Sequence, residues 1–224
     1  MTSCNICGGT EFGFGPGGRL SVTSKKPYCI KCGSLERHRV IRDIFLKLKD
    51  SNFENARVLQ FSRDPSIDRS WFRDLEVSIY EGENSLDLMR IDRDSASYDI
   101  VIGNHVLEHV QYDNAALVEL LRVVAPLGFL FLTFPDPVRR ERTADFVGPN
   151  PRQHDHWRVY GRDVVERFRR YLPESWVLSH DAEDPVTGAA DVAYLLTREA
   201  VTADRLRHRL RRVEIACSPA GRRW

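Results

Sequence analysis

Three clusters of side chains in this 224-residue chain have types and spacings that could do chemistry. The first is Cys4-x-x-Cys7 followed, after 21 residues, by Cys29-x-x-Cys32. Each Cys-x-x-Cys turn aims two thiolates at one tetrahedral ion, and Gly8 and Gly33 let the backbone turn tightly after each pair. The spacing predicts a zinc ribbon or knuckle with Cys4, Cys7, Cys29 and Cys32 as the Zn2+ ligands. Four thiolates close the coordination sphere, so the ion is read as structural; dithiol redox chemistry is the alternative, and Cys217 is read as an ordinary thiol. The glycine-rich stretch between the pairs has few apolar residues for a core, and an ion would supply that stability. The second cluster is Asn104-His105-x-x-Glu108-His109, at the end of an apolar run. The third is Gln153-His154-Asp155-His156. Imidazoles and carboxylates at such positions can bind an acceptor group or move a proton.

The elements that must position these residues read as an α/β alternation. Residues 98–103 read as a strand, with an unbroken apolar run from Ile100 to Gly103, and Asn104 is a good N-cap for a following helix, which would set His105 and His109 one turn apart on one face. Leu117, Leu120, Leu121 and Val124 recur at helical spacing, Pro126 and Gly128 stop that helix, and residues 129–134 read as the next buried strand. Strands are also expected over 57–61, 76–80, 175–179 and 192–197. Helices are expected over 35–48, from Val164 through Tyr171, and over 202–215, the last a basic one. In open α/β sheets ligands bind at the carboxyl ends of the strands, which puts Asn104, His105 and Glu108 where chemistry is done, with the loop 151–161 over the crevice.

The segment 99–128, with Asn104-His105-Val106-Leu107-Glu108-His109 and Leu121-Arg122-Val123-Val124-Ala125-Pro126-Leu127-Gly128, resembles class I S-adenosylmethionine-dependent methyltransferases of the type 11-like kind. The knuckle, the following Gly33-Ser34-Leu35-Glu36-Arg37-His38-Arg39 and the Gln-His-Asp-His-x-Arg-Val-Tyr-Gly run resemble a bacterial group of these enzymes that carries an N-terminal CxxC…CxxC knuckle. The resemblance implies a Rossmann-like seven-stranded sheet with helices on both faces, its last two strands an antiparallel pair. It also implies S-adenosylmethionine as cofactor and a small metabolite or sugar-type acceptor as substrate.

The cofactor-binding residues expected on this basis are Phe61, Ser62, Glu81, Asp87, Leu88, Asn104 and His105. Glu81, at the end of the second strand, could accept both ribose hydroxyls, with Glu83 as competitor. Asp87 lies eleven positions before Tyr98, where the family has an acid that meets the adenine amino group; Leu88 would pack on the ring. The first loop departs from the family: Phe61-Ser62-Arg63-Asp64-Pro65 has no Gly-x-Gly, so the methionine end of the pocket must be built differently. His105, His154 and His156 are the candidate catalytic residues.

Three other readings compete. His105-x-x-Glu108-His109 matches the H-x-x-E-H pattern of inverted zinc metallopeptidases, but there the motif lies inside a long helix, whereas here a strand ends just before it. A noncatalytic binding or scaffold protein would keep the sheet with a degenerate cofactor loop. A nucleic-acid-modifying methyltransferase would use the knuckle and Arg205, Arg207, Arg209, Arg211, Arg212, Arg222 and Arg223 to grip phosphates.

Composition sets the outer bounds. A chain that is 42% hydrophobic can bury a sizeable core, and its net charge of +1 gives no global attraction to nucleic acid. No apolar run approaches the roughly 18 residues of a spanning helix, and Met1-Thr2-Ser3-Cys4 has neither the basic region nor the apolar core of a signal peptide, so a cytoplasmic protein is expected. The expected organisation is a zinc knuckle over 1–34, a methyltransferase-like domain over 35–200 with a linking helix at 35–49, and a basic helix or tail over 201–224.

Overall fold

The strands expected at 57–61, 98–103 and 129–134 become the centre of a sheet. The structure, a computed structural model, describes residues 2–50, 53–135, 140–211 and 213–219. Its strands are β1 (Phe12–Gly13), β2 (Tyr28–Cys29), β3 (Arg57–Phe61), β4 (Asp74–Ser78), β5 (Tyr98–Asn104), β6 (Val124–Thr133), β7 (Ala144–Asn150), β8 (His156–Val159), β9 (Trp176–Glu183), β10 (Ala190–Thr197) and β11 (Val213–Cys217). The longer helices are α1 (Glu36–Leu48), α2 (Asp113–Arg122), α3 (Val164–Tyr171) and α4 (Ala200–Arg209). Seven strands form one sheet in the order β11-β9-β10-β6-β5-β3-β4, while β1-β2 and β7-β8 are separate antiparallel pairs.

The sheet is parallel from β4 through β6 and antiparallel from β6 onward. Alternation along the central strands splits the core in two. Val58, Ile100, Ile102, Phe129 and Phe131 face α1 and α4; Leu59, Val101, Leu130 and Leu132 face α2 and α3. The fold is therefore the expected Rossmann-like sheet with helices on both faces.

Four expectations are corrected. The seven-strand total is reached with β11 outside the β9–β10 pair, not by that pair closing the sheet. The expected 202–215 helix ends at Arg209; Leu206 and Leu210 still reach the core, but Val213 starts a strand on the β9 edge. Arg212, Arg222 and Arg223 lie outside the described residues. The second strand occupies Asp74–Ser78 and not 76–80, so Glu81 lies beyond it in a turn. The expected loop over 151–161 is instead partly the strand β8, paired with β7.

Candidate functional site

The winding of the sheet reverses between β3 and β5: β3 leads outward to β4, and β5 lies on its other side. In open α/β sheets such a reversal is where the loops leaving the carboxyl ends of the strands part to admit a ligand. The glycine-free loop after β3 solves its turn with Ser62, held at φ 66° while its N–H donates to the Ser78 carbonyl at 2.8 Å. Gln60 Nε2 donates to the Ser62 carbonyl at 2.8 Å, and Asp64 Oδ1 accepts the Ser66 N–H at 2.7 Å as well as the Ser66 hydroxyl. Phe61 buries its ring in the core, so only its backbone is offered to a ligand.

Asn104 is the last residue of β5 and not a helix cap. Its Nδ2 donates to Asp64 Oδ2 at 3.3 Å, and its Oδ1 accepts from Thr133 Oγ1 at 3.1 Å. A polar chain thus runs from the β3 loop through the end of β5 to the end of β6. Asp64 was not singled out from the sequence, although a carboxylate in a loop that lacks the usual glycines was a signal.

His105 follows at φ 52°, a left-handed turn that prevents the helix expected from Asn104; only a single turn at Leu107–His109 forms before α2 begins at Asp113. His105 and His109 consequently do not share a helical face. His105 is turned inward, its Nε2 buried without a hydrogen-bond partner, and burial holds its pKa down to about 3. Glu108 is 1% exposed, neither carboxylate oxygen has a hydrogen-bond partner, and burial pushes its pKa up to about 8. His109 is exposed and lies edge-to-face with the buried His156, ring centroids 4.5 Å apart; burial holds His156 down to about 4. His154 is 6.0 Å from His156, ring centre to ring centre, on the exposed turn between β7 and β8, where it and Asp155 take φ values of 54° and 60°. Glu108, His109 and His156 have ligand atoms within 4.8 Å of one another, which is not the His105–Glu108–His109 set of the H-x-x-E-H reading.

Arg158 holds the β7–β8 hairpin on this turn. Its guanidinium, 6% exposed, donates to the Leu107, Val110 and Gln111 carbonyls at 3.3, 2.6 and 2.6 Å and lies 3.5 Å from Asp113. Asp113 also accepts from Tyr160 Oη at 3.0 Å and Arg167 at 2.9 Å.

The remaining cofactor candidates lie on the 79–93 segment. Glu81 is exposed at φ 53°, with its N–H donated to Ser85 Oγ at 3.2 Å. Asp87 accepts the Met89 N–H at 2.8 Å, and Leu88 is half-buried against the α2 core. Glu76 of β4 anchors this segment by accepting from Arg93 Nε at 3.0 Å, Asn84 Nδ2 at 2.8 Å and the Tyr98 hydroxyl. Burial raises the Glu76 pKa, but these donors outweigh it and hold the carboxyl below its usual range.

At the N-terminus all four expected sulfurs converge, with Cys4–Cys32 at 3.8 Å and Cys7–Cys29 at 3.6 Å. A tetrahedron with Zn–S bonds of about 2.3 Å has edges of about 3.8 Å, so the donor set fits zinc. Gly8 and Gly33 both adopt φ 73°, and each donates its N–H to the first cysteine of its pair at 2.8 Å, giving two equivalent turns. The first residues of α1 continue from the second turn. Arg39 is fully buried, donates to Asp184 at 2.7 and 2.8 Å and to the Ser34 carbonyl at 3.0 Å, and joins the cysteine-bearing segment to the β9–β10 connection.

Residues 79–132 match the protein family described as Methyltransferase domain, a stretch that includes Glu81, Asp87, Leu88, Asn104, His105 and Glu108. Among solved structures the chain resembles the 1,6-didemethyltoxoflavin-N1-methyltransferase of Burkholderia thailandensis, bound to 1,6-didemethyltoxoflavin and S-adenosylhomocysteine. That similarity has 14% identity over 71% of this chain and 78% of that one, with a TM-score of 0.46. It also resembles an S-adenosylmethionine-dependent methyltransferase of Thermotoga maritima, with 15% identity over 72% and 91% of the two chains and a TM-score of 0.42. No curated protein sequence matches the chain. No helix among the described residues is long and apolar enough to cross a membrane. The matched stretch takes in the 79–93 segment, β5 and the turn after it, while the β3 loop, the hairpin and the cysteine cluster lie outside it.

Proposed function

We propose that this methyltransferase domain transfers the methyl group of S-adenosylmethionine to a small metabolite or sugar-type acceptor, and that a structural Zn2+ on Cys4, Cys7, Cys29 and Cys32 stabilises its N-terminal segment. The observation that carries the reading is the unpartnered, buried His105 Nε2 at the carboxyl end of β5, next to a crevice floor already lined by Asp64 and Asn104. A buried polar atom left without a partner costs roughly 1–3 kcal/mol, a cost a ligand group can relieve.

Bound S-adenosylmethionine would supply an electrophilic methyl group on sulfonium. On this reading the loop from Phe61 to Asp64 holds the amino-acid end, with the Asp64 carboxylate facing the ammonium; Glu81 holds the ribose, and Asp87 and Leu88 the adenine. Asn104 keeps the two loops in register. Orientation of the acceptor is the main task, and a base is needed only if the acceptor must lose a proton. Burial keeps His105 and His156 neutral at pH 7 and makes both weak bases, so on this reading they and His154 on the hairpin turn orient the acceptor by hydrogen bonds more than they take its proton. Arg158 holds the hairpin on the turn after β5, and on this reading the hairpin encloses a small acceptor and leaves no room for a duplex. Arg205 and Arg209 are engaged with the Leu127 carbonyl and Asp50, which weakens the case for a phosphate-gripping tail.

Isothermal titration with S-adenosylmethionine and, separately, S-adenosylhomocysteine tests the proposal. Micromolar binding of both supports it, and Glu81→Ala should then weaken binding by about 1.5–3 kcal/mol, one charge-assisted contact. Absence of binding to either would favour the noncatalytic scaffold.

A further inference from the structure

We infer that Glu108, His109 and His156 form a second metal site, distinct from the cysteine cluster, that binds one divalent transition-metal ion of the zinc type. The three residues come from two elements. The turn after β5 supplies Glu108 and His109, and the first residue of β8 supplies His156. Their ligand atoms lie within 4.8 Å of one another, close enough for a rotamer adjustment of the exposed His109 to reach zinc bond lengths of about 2.0–2.2 Å.

The second, independent observation is the state of Glu108. Its side chain is buried to 1% exposure, and both oxygens lack a hydrogen-bond partner among the described residues. An acidic group so placed, with nothing donating to it, costs several times an ordinary missed hydrogen bond once it carries charge. A cation between Glu108 and the two imidazoles would give the carboxylate oxygens the direct partner they lack. The donor chemistry selects the ion: two nitrogens and one carboxylate oxygen are the set used by zinc and other first-row divalent ions, whereas Ca2+ and Mg2+ prefer all-oxygen shells.

The support around the ligands is rigid. Arg158 ties β8 to the carbonyls of Leu107, Val110 and Gln111, which fixes the strand bearing His156 against the turn bearing Glu108 and His109. Three protein ligands leave positions open for water or for an acceptor oxygen, unlike the closed four-thiolate cluster. The ion site itself does not depend on the methyltransferase reading.

The test is a titration of the full-length protein, already loaded with one equivalent of Zn2+, with further Zn2+, together with metal analysis after dialysis. Wild type should take up a second equivalent. His109→Ala, a change at an exposed side chain, should weaken that second equivalent at least ~10-fold, since loss of a ligand costs no less than loss of its hydrogen-bond support. Glu108→Gln and His156→Ala should do the same with circular dichroism unchanged. Cys4→Ser should lose the first equivalent and keep the second. Uptake of only one equivalent by wild type, or a second equivalent unaffected by His109→Ala, overturns the assignment. Because the readout is bound metal, it is separate from the S-adenosylmethionine titration.

Discussion

Ser62 and Glu76 show how single residues shape the crevice. The chain makes the left-handed turn after β3 without a glycine, on the short polar side chain of Ser62. Ser62→Gly should therefore be neutral or mildly stabilising and keep S-adenosylmethionine affinity. Ser62→Val, β-branched at positive φ, should cost about 1–3 kcal/mol in denaturant titration and weaken cofactor binding. Glu76 anchors the segment proposed to hold the nucleoside. Its donors stabilise the carboxylate and depress its folded pKa below the reference of 4.5, so its contribution is present above that value and lost as pH falls through the folded pKa. Glu76→Gln should lower stability by about 1–2 kcal/mol at pH 7. The difference from wild type should shrink towards zero in urea titrations taken down to pH 2.5; a constant gap would show that the donors do not favour the charged form.

At the scale of elements, the Arg39–Asp184 pair links α1 to the β9–β10 connection across 145 residues of sequence with both side chains fully buried. Asp184→Ala leaves an uncompensated buried guanidinium, and should cost about 3–5 kcal/mol, or roughly 6–20 °C in melting temperature. Neither this pair nor Arg158 was legible in the sequence, because an arginine reads as solvated until its distant partners are known. The elements that were legible are those whose signal is local. Apolar residues clustered over strand lengths marked β3, β5 and β6, the 3.6-residue periodicity marked α1 and α3, and Cys-x-x-Cys spacing marked the sulfur cluster. The failures have local causes too. His105 breaks the expected helix by its backbone conformation, and Leu206, Leu210 and Val213 fit one helical face although Val213-Glu214-Ile215-Ala216-Cys217 also alternates like the edge strand it becomes. In the candidate site, Asn104, His105 and His156 could be singled out by type. That Glu108 and His156 would meet depended on how β8 pairs with β7 and folds over the turn.

Across the whole molecule, the cysteine cluster is joined to the sheet by more than a linker: Arg39 binds Ser34 and Asp184, and Thr23 Oγ1 donates to the Thr187 carbonyl at 2.7 Å. Removing the proposed zinc by chelation should therefore lower the melting temperature of the entire chain in one transition, as read by calorimetry. Two separate transitions would show that the N-terminal segment melts alone.

The strand order also bears on synthesis. The edge of β6 that will receive β10 is complete once Thr133 has been added, yet β10 ends at Thr197, 64 residues later. At about 5–20 residues per second, the apolar Phe129–Thr133 edge waits roughly 3–13 s for its partner during translation. An unpaired apolar edge is a template for association with other chains, so nascent-chain crowding and chaperone supply should govern the soluble yield of this protein more than the equilibrium stability of its finished sheet.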